Sequence, residues 1–556
     1  MKTYLITIIL VCMIAVLSGM PAAWTEFQKD IGIQAAQFQN SPEQQAYKQQ
    51  NNTRDYAVGD TRTFWRWNLA VMPPTWIQTP STCRAVGEHC YVFVADSDWN
   101  SHMTQANVDS VLVRLEQNTP NNPAQGAIAM DINLFGPIPD ALDNDPKLIV
   151  FYSTLGSFQG TSFDGYFSAY NQVTEAQAQQ MNPPGHSNLC EMIYMTCYPL
   201  SPVSPIRLSV LAHELEHLIH WGQDANEESW IDEGCAELAM VAYGIPDPIS
   251  AFPSNPDNNL TVWDQQTADY VKVMLFFTYL KEHYDQTGLI RDLVADPLNG
   301  MISLTNQLAT HFPEVSLAQL LSNWTAANAI DAPQPFDGLY DYTELDLPNF
   351  TMTNMNAYPT QSSQPVSAYA ADYLKYTLQE GTTNCSIVSN YSIYIKVLLF
   401  NAMNECTDVL DNGVGPYDGT IPPGTHHVVF VLTNYSAVGI TYYYSISSVG
   451  NDDNISPLLM TNTIVCYPNP FRSGNSSLEI SVSADKNATN PGSIDIYNIK
   501  GQLIRHLEIA KTADAKEQRV SWDGRNNDNA FVSAGIYLIR YTNGKHNYSK
   551  SVCLTK

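Results

Sequence analysis

The sequence predicts an α+β domain over residues 56–340, followed by two all-β units over 341–452 and 455–556. Three observations predict it. Short β-rich runs come first, at Thr61–Trp67, Cys90–Val94 and Leu148–Tyr152. Stretches with apolar residues at helical spacing follow, at Ser209–Trp221, Trp230–Tyr243, Ala268–Tyr284 and Leu317–Ala329. After Pro333 the helical pattern stops, and alternating segments separated by Gly, Pro, Asn and Asp take over. A chain of 556 residues is also too long for one core.

Met1–Ala23 reads as a signal peptide. Lys2 gives a positive start, Tyr4–Leu17 is apolar, and small residues from Ser18 to Ala23 offer cleavage sites. A membrane anchor needs a longer apolar run of about 20 residues, so no membrane span is expected in the mature form. Residues 24–55 are rich in Gln and Asn and weak in periodicity. They read as a flexible leader or short pro-segment, with no core of their own.

In the middle β unit, Ile387–Phe400, His426–Leu432 and Ile440–Ser447 alternate as strands of an Ig-like sandwich do. The last unit has strands at Leu478–Val482, Ser493–Tyr497 and Gly535–Tyr541, with turns at Lys500-Gly501 and Asp523-Gly524. No internal repeat stands out.

Composition narrows the partners. There are 55 acidic and 27 basic side chains, a net charge of −28, which argues against nucleic acid or anionic lipid. Ten cysteines include Cys12 in the signal. The others suggest disulfides between local pairs, Cys83/Cys90, Cys190/Cys197 and Cys385/Cys406, with Cys466/Cys553 joining the ends of the last unit. Cys235 is then left over.

The chemistry concentrates in Leu208–Tyr243. His213-Glu214-Leu215-Glu216-His217 is an HExxH motif. On a helix, residues four apart share a face, so both imidazoles reach one ion while Leu211, Leu215 and Leu218 pack inward. A catalytic Zn2+ takes three protein ligands and keeps one open position. Glu233, sixteen residues after His217, is the expected third ligand. Glu214 is the expected general base, which makes the motif that of a zinc peptidase. His220, one turn beyond His217, is expected to pack or to face substrate. Asp232 points about 100° away from Glu233 on a helix and is the weaker ligand. Cys235 should face away from the Glu233/Glu237 side.

AHELEHLIHW followed by SWIDEGCAELA resembles the gluzincin peptidases, and is closest to the hyicolysin-type and immune inhibitor A-like secreted bacterial enzymes. Ala85–Cys90 and Asp164–Ser168 are similar to that group as well, so the resemblance covers about 56–330. It implies a zincin-like fold, with Glu237 receiving the second ring N–H of a ligand histidine. It also implies an oxyanion donor from the later helical lobe, for which Tyr270 is the candidate. The His217-to-Glu233 spacing is shorter than in many gluzincins. The GxMEN motif of aminopeptidases is not found at a comparable position, which favours an endopeptidase acting on protein or peptide substrates. YPNPF at 467–471, IYNIKGQLI at 496–504, WDGR at 522–525 and AGIY at 534–537 closely resemble the sorting domain of the type IX secretion system. That resemblance implies contact with the secretion machinery and passage through a Gram-negative periplasm to the cell surface or medium. The competing class is a surface adhesin or carbohydrate-binding protein on an inactive peptidase-like scaffold. An intact Glu214 disfavours it, since an inactive scaffold has no chemical need for that residue.

Overall fold

A computed structural model describes residues 22–50, 55–71, 74–158, 161–355, 360–378, 383–448, 464–467, 471–472, 477–483, 492–498, 500–509, 517–543 and 546–555. The expected signal peptide lies outside these residues up to position 21. Two helices, α1 (Ala22–Ala36) and α2 (Pro42–Gln50), precede a six-stranded sheet. Its strands are β1 (Thr61–Asn68), β2 (Thr75–Val86), β3 (Cys90–Ala95), β4 (Leu148–Ser153), β5 (Gly165–Phe167) and β6 (Met192–Thr196). Across the sheet the order is β1-β2-β3-β4-β6-β5. Strands β3, β4 and β6 are parallel, and β5 runs antiparallel to β6 at the edge.

All residues of β3, β4 and β6 are buried, as expected of parallel strands covered on both faces. Val92, Val150 and Ile193 point to one core, and Phe93, Phe151 and Tyr194 to the other. The first core is closed by α3 (Gln105–Glu116), α4 (Ala127–Phe135), α5 (Pro205–Gln223), α6 (Ser229–Tyr243) and α7 (Thr267–Tyr284). Pro205 opens α5 at a position where the missing N–H costs nothing. Gly244, at φ 102°, closes α6 in the left-handed conformation. Inside α6, a Cβ on Gly234 would lie 2.3 Å from Phe277 Cδ2, so only glycine lets α6 approach α7 this closely.

The second face corrects the expectation of a flexible leader. Ile31 and Ala35 are fully buried among Phe64, Trp67, Tyr170 and Trp221. Phe27 meets Trp67 edge-on at 5.6 Å, and Trp221 Nε1 donates to Gly32 O at 3.0 Å. Two apolar residues one turn apart suffice, because the sheet's aromatic face requires a cover.

The expected disulfides are also corrected. None of the nine described cysteines is bridged. Cys83 and Cys190 belong to one core and Cys90 and Cys197 to the other, so each local pair is divided by the sheet itself. Cys385 points into the sandwich core described below, whereas Cys406 packs against the first core on the far side of its sheet. Cys466 is buried in the last core, while Cys553 sits between the inward-facing Val552 and Leu554.

The middle unit is two sheets sharing one core. The five-stranded sheet carries Ala370–Thr377, Tyr394–Phe400 and His427–Asn434, and the four-stranded one carries Thr383–Ser389 and Ile440–Ser448. The outer face of the five-stranded sheet, with Tyr373, Leu398 and Val431, joins the core of the α+β domain through α8 (Leu317–Ile330). Tyr373 donates its hydroxyl to Thr325 O at 2.8 Å. The last unit has its own core, in which Trp522 meets Phe471 at a tilt and Tyr537 edge-on, at 5.3 and 5.2 Å. Among the described residues no helix is long and apolar enough to cross a membrane.

Candidate metal centre

Helices α5 and α6, joined by the short connection Asp224–Glu228, bring the motif residues together. His213 Nε2 and His217 Nε2 lie 3.2 Å apart. Glu233 Oε2 lies 3.7 Å from the first and 3.9 Å from the second. Zinc–nitrogen bonds of about 2.0–2.1 Å at tetrahedral angles place ligand atoms roughly 3.3–3.4 Å apart. The three donors are therefore spaced to share one small cation.

The second ring nitrogens differ. His217 Nδ1 is 3.1 Å from Asp232 Oδ1, a contact that turns Nε2 towards Glu233. Glu237 Oε1 is 3.6 Å from His213 Nδ1, outside hydrogen-bond range, and neither that nitrogen nor Glu237 Oε2 has a hydrogen-bond partner among the described residues. Asp232 thus does for His217 what the resemblance assigned to Glu237. Nothing in the local spacing signalled this, because it depends on how α6 crosses α5.

Electrostatics follow from burial. Desolvation holds His213 well below its ordinary value, which favours the neutral imidazole. Burial opposes charge on His217 too, but Asp232, Glu233 and Glu216 together outweigh it and raise that ring. Burial pushes Glu214 up to about 7 and Glu233 up to about 8. A divalent cation at this centre would compete with protons for these acids and imidazoles.

The centre opens into a cleft of about 720 Å³. Glu214 lines it, with a hydrogen bond from the Phe167 backbone. A Cβ on Gly165 would come within 2.9 Å of Glu214 Cγ, so the edge strand β5 needs glycine there to pass that side chain. Arg207, fully buried, pairs with Asp164 at 2.8 Å and ties the start of β5 to α5. Tyr270 also lines the cleft and packs edge-on against Trp263 at 4.7 Å. Sequence reasoning missed one wall altogether. Gln28 and Lys29 of α1 line the cleft, and Gln28 Nε2 donates to Phe167 O at 2.7 Å. His220 and Cys235 are turned away from the cleft and are buried.

Residues 465–555 match the family model described as the secretion system C-terminal sorting domain. The chain thus carries a type IX sorting tail, interacts with that secretion machinery, and is a secreted or cell-surface protein. No curated protein matches the chain. Among solved structures, PorZ, a surface component of the type IX secretion system of Porphyromonas gingivalis, is 17% identical over 23% of this chain and 15% of its own, at a TM-score of 0.13. PliG of Aeromonas hydrophila, a periplasmic inhibitor of g-type lysozyme, is 18% identical over 17% of this chain and 96% of its own, with a TM-score of 0.13. The adhesin domain of Epf from Streptococcus pyogenes is 7% identical over 35% of this chain and 78% of its own, again at 0.13. Likenesses this slight carry no argument about fold or activity.

Proposed function

We propose that residues 56–340 form a zincin-like metallopeptidase domain and that the chain is a secreted or surface-attached zinc endopeptidase acting on extracellular proteins. The two β units are read as Ig-like modules. The observation that supports this most is the convergence of His213, His217 and Glu233 within 3.9 Å beside Glu214 in one cleft. Zinc held by that set supplies Lewis acidity and lowers the pKa of water towards about 7.

The protein's own groups do the rest. Glu214, raised to about 7 by burial, takes the proton of the attacking water and passes it to the leaving amine. The Phe167 backbone bond fixes the direction of its carboxylate. Tyr270 offers its hydroxyl to the developing oxyanion. Strand β5 is last in its sheet, so an extended peptide has an edge to pair with beside the base.

Metal analysis and casein hydrolysis of the purified protein test the reading. His217→Ala should abolish zinc binding at this centre. Glu214→Gln should keep the zinc and lose about 10²–10⁴-fold in hydrolysis, the usual worth of a general base. Wild-type protein that binds no zinc at His213 and His217, or full activity in Glu214→Gln, would refute it.

A further inference from the structure

Helix α5 carries a second pair of potential ligands four residues apart. Glu216 and His220 follow His213 and His217 by three positions, which turns them by about 60° to the adjoining face, away from the cleft. Helix α6 again supplies the third group. Glu216, His220 and Cys235 place donor atoms within 4.8 Å of one another, and all three residues are at most 1% exposed. His220 Nδ1 is 3.0 Å from Glu216 Oε1.

Hydrogen bonding among the described residues leaves this cluster incomplete. Glu216 Oε2 and His220 Nε2 are buried with no hydrogen-bond partner. Next to it on α4, Asp131 is fully buried with neither carboxyl oxygen bonded, and Glu227 Oε2 is likewise without a partner. Glu216 has the His220 ring as a counter-charge at 3.0 Å, but Asp131 has only the Glu216 carboxylate as its charged neighbour, and native interiors rarely leave such a group unmatched. A second candidate cluster, Asp98, His102 and Cys197, differs in this respect. There Asp98 accepts from Thr154 N, Thr154 Oγ1 and His102 Nδ1.

We propose that Glu216, His220 and Cys235 bind a second metal ion, a closed structural zinc that clamps α5 to α6 behind the catalytic centre. A thiolate, an imidazole and a carboxylate suit zinc and disfavour magnesium or calcium. Asp232 is the further oxygen donor at hand, its Oδ1 3.7 Å from His220 Nδ1. Because the same carboxylate, which also lines the cleft, holds His217 Nδ1, the clamp fixes the orientation of a catalytic ligand.

Cobalt substitution separates the two centres. A set of two imidazoles and a carboxylate gives no sulfur-to-cobalt charge-transfer absorption, whereas a site containing Cys235 does. The purified full-length protein should take up about two metal equivalents per chain and show that near-ultraviolet band. Cys235→Ser and His220→Gln should each lose the band and one equivalent. His213→Ala should lose the other equivalent and keep the band, so failure of the peptidase reading stays distinguishable from failure of this one. A wild-type protein without the band overturns the proposal, whatever the variants do. A band that survives Cys235→Ser but vanishes in Cys197→Ser overturns it too, by moving the sulfur site to the edge of the parallel strands.

Discussion

Asp232 sits beside a proposed zinc ligand in sequence, yet its side chain serves a different one. At 3.1 Å from His217 Nδ1 it fixes the ring's rotation and makes its Nε2 more basic. Losing an outer carboxylate of this kind usually costs 10–100-fold in metal affinity, so Asp232→Asn should weaken zinc binding by about that factor. Competition with a chromophoric chelator measures it. Glu237→Gln should do less, because Glu237 stands 3.6 Å from His213 Nδ1 without a hydrogen bond. An equal or larger effect from Glu237→Gln would reverse the two roles.

Among the elements, α1 departs furthest from expectation. A segment this rich in polar residues contributes few apolar side chains, but Ile31 and Ala35 lie under the aromatic face and Gln28 bonds the edge strand. Truncating a fully buried isoleucine costs about 2–5 kcal/mol, and Ile31→Ala should destabilise the domain by that amount. Denaturant unfolding followed by tryptophan fluorescence checks this, since Trp67 and Trp221 lie in the same cluster. An unchanged midpoint would restore the flexible-leader expectation. The glycines of β5 and α6 are the counterpart of α1. Their patterns, DGYFS and WIDEG, mark places where backbone passes close to Glu214 and to Phe277.

For the whole molecule, the cores show which cuts the chain tolerates. The sorting tail closes around its own cluster of Phe471, Trp522, Tyr537 and neighbours. The middle sandwich instead shares a core with the α+β domain through Trp324, Tyr373 and Val431. A chain ending at residue 463 should therefore fold, keep the proposed zinc binding, and accumulate in the periplasm of its host instead of reaching the surface. A chain ending at 340 should expose the apolar side of α8 and aggregate. Cell fractionation and solubility of the two truncations check both outcomes. Normal export of the chain ending at 463 would contradict the sorting role.

Local chemistry was readable from the chain alone. The spacing of His213 and His217 places both on one helix face by geometry, and the sorting tail's motifs are dense enough to recognise without a fold. Strands such as Leu148–Ser153 announce themselves because burial on both faces requires an unbroken apolar run. Other features depend on how distant elements meet. Which carboxylate orients which histidine is decided by the crossing of α5 and α6. Whether a polar leader docks is decided by a sheet face whose residues run in sequence from Phe64 to Tyr194. Which cysteines can meet is decided by the side of the sheet each one faces, and strand register, unlike residue spacing, is fixed only when the whole sheet is assembled.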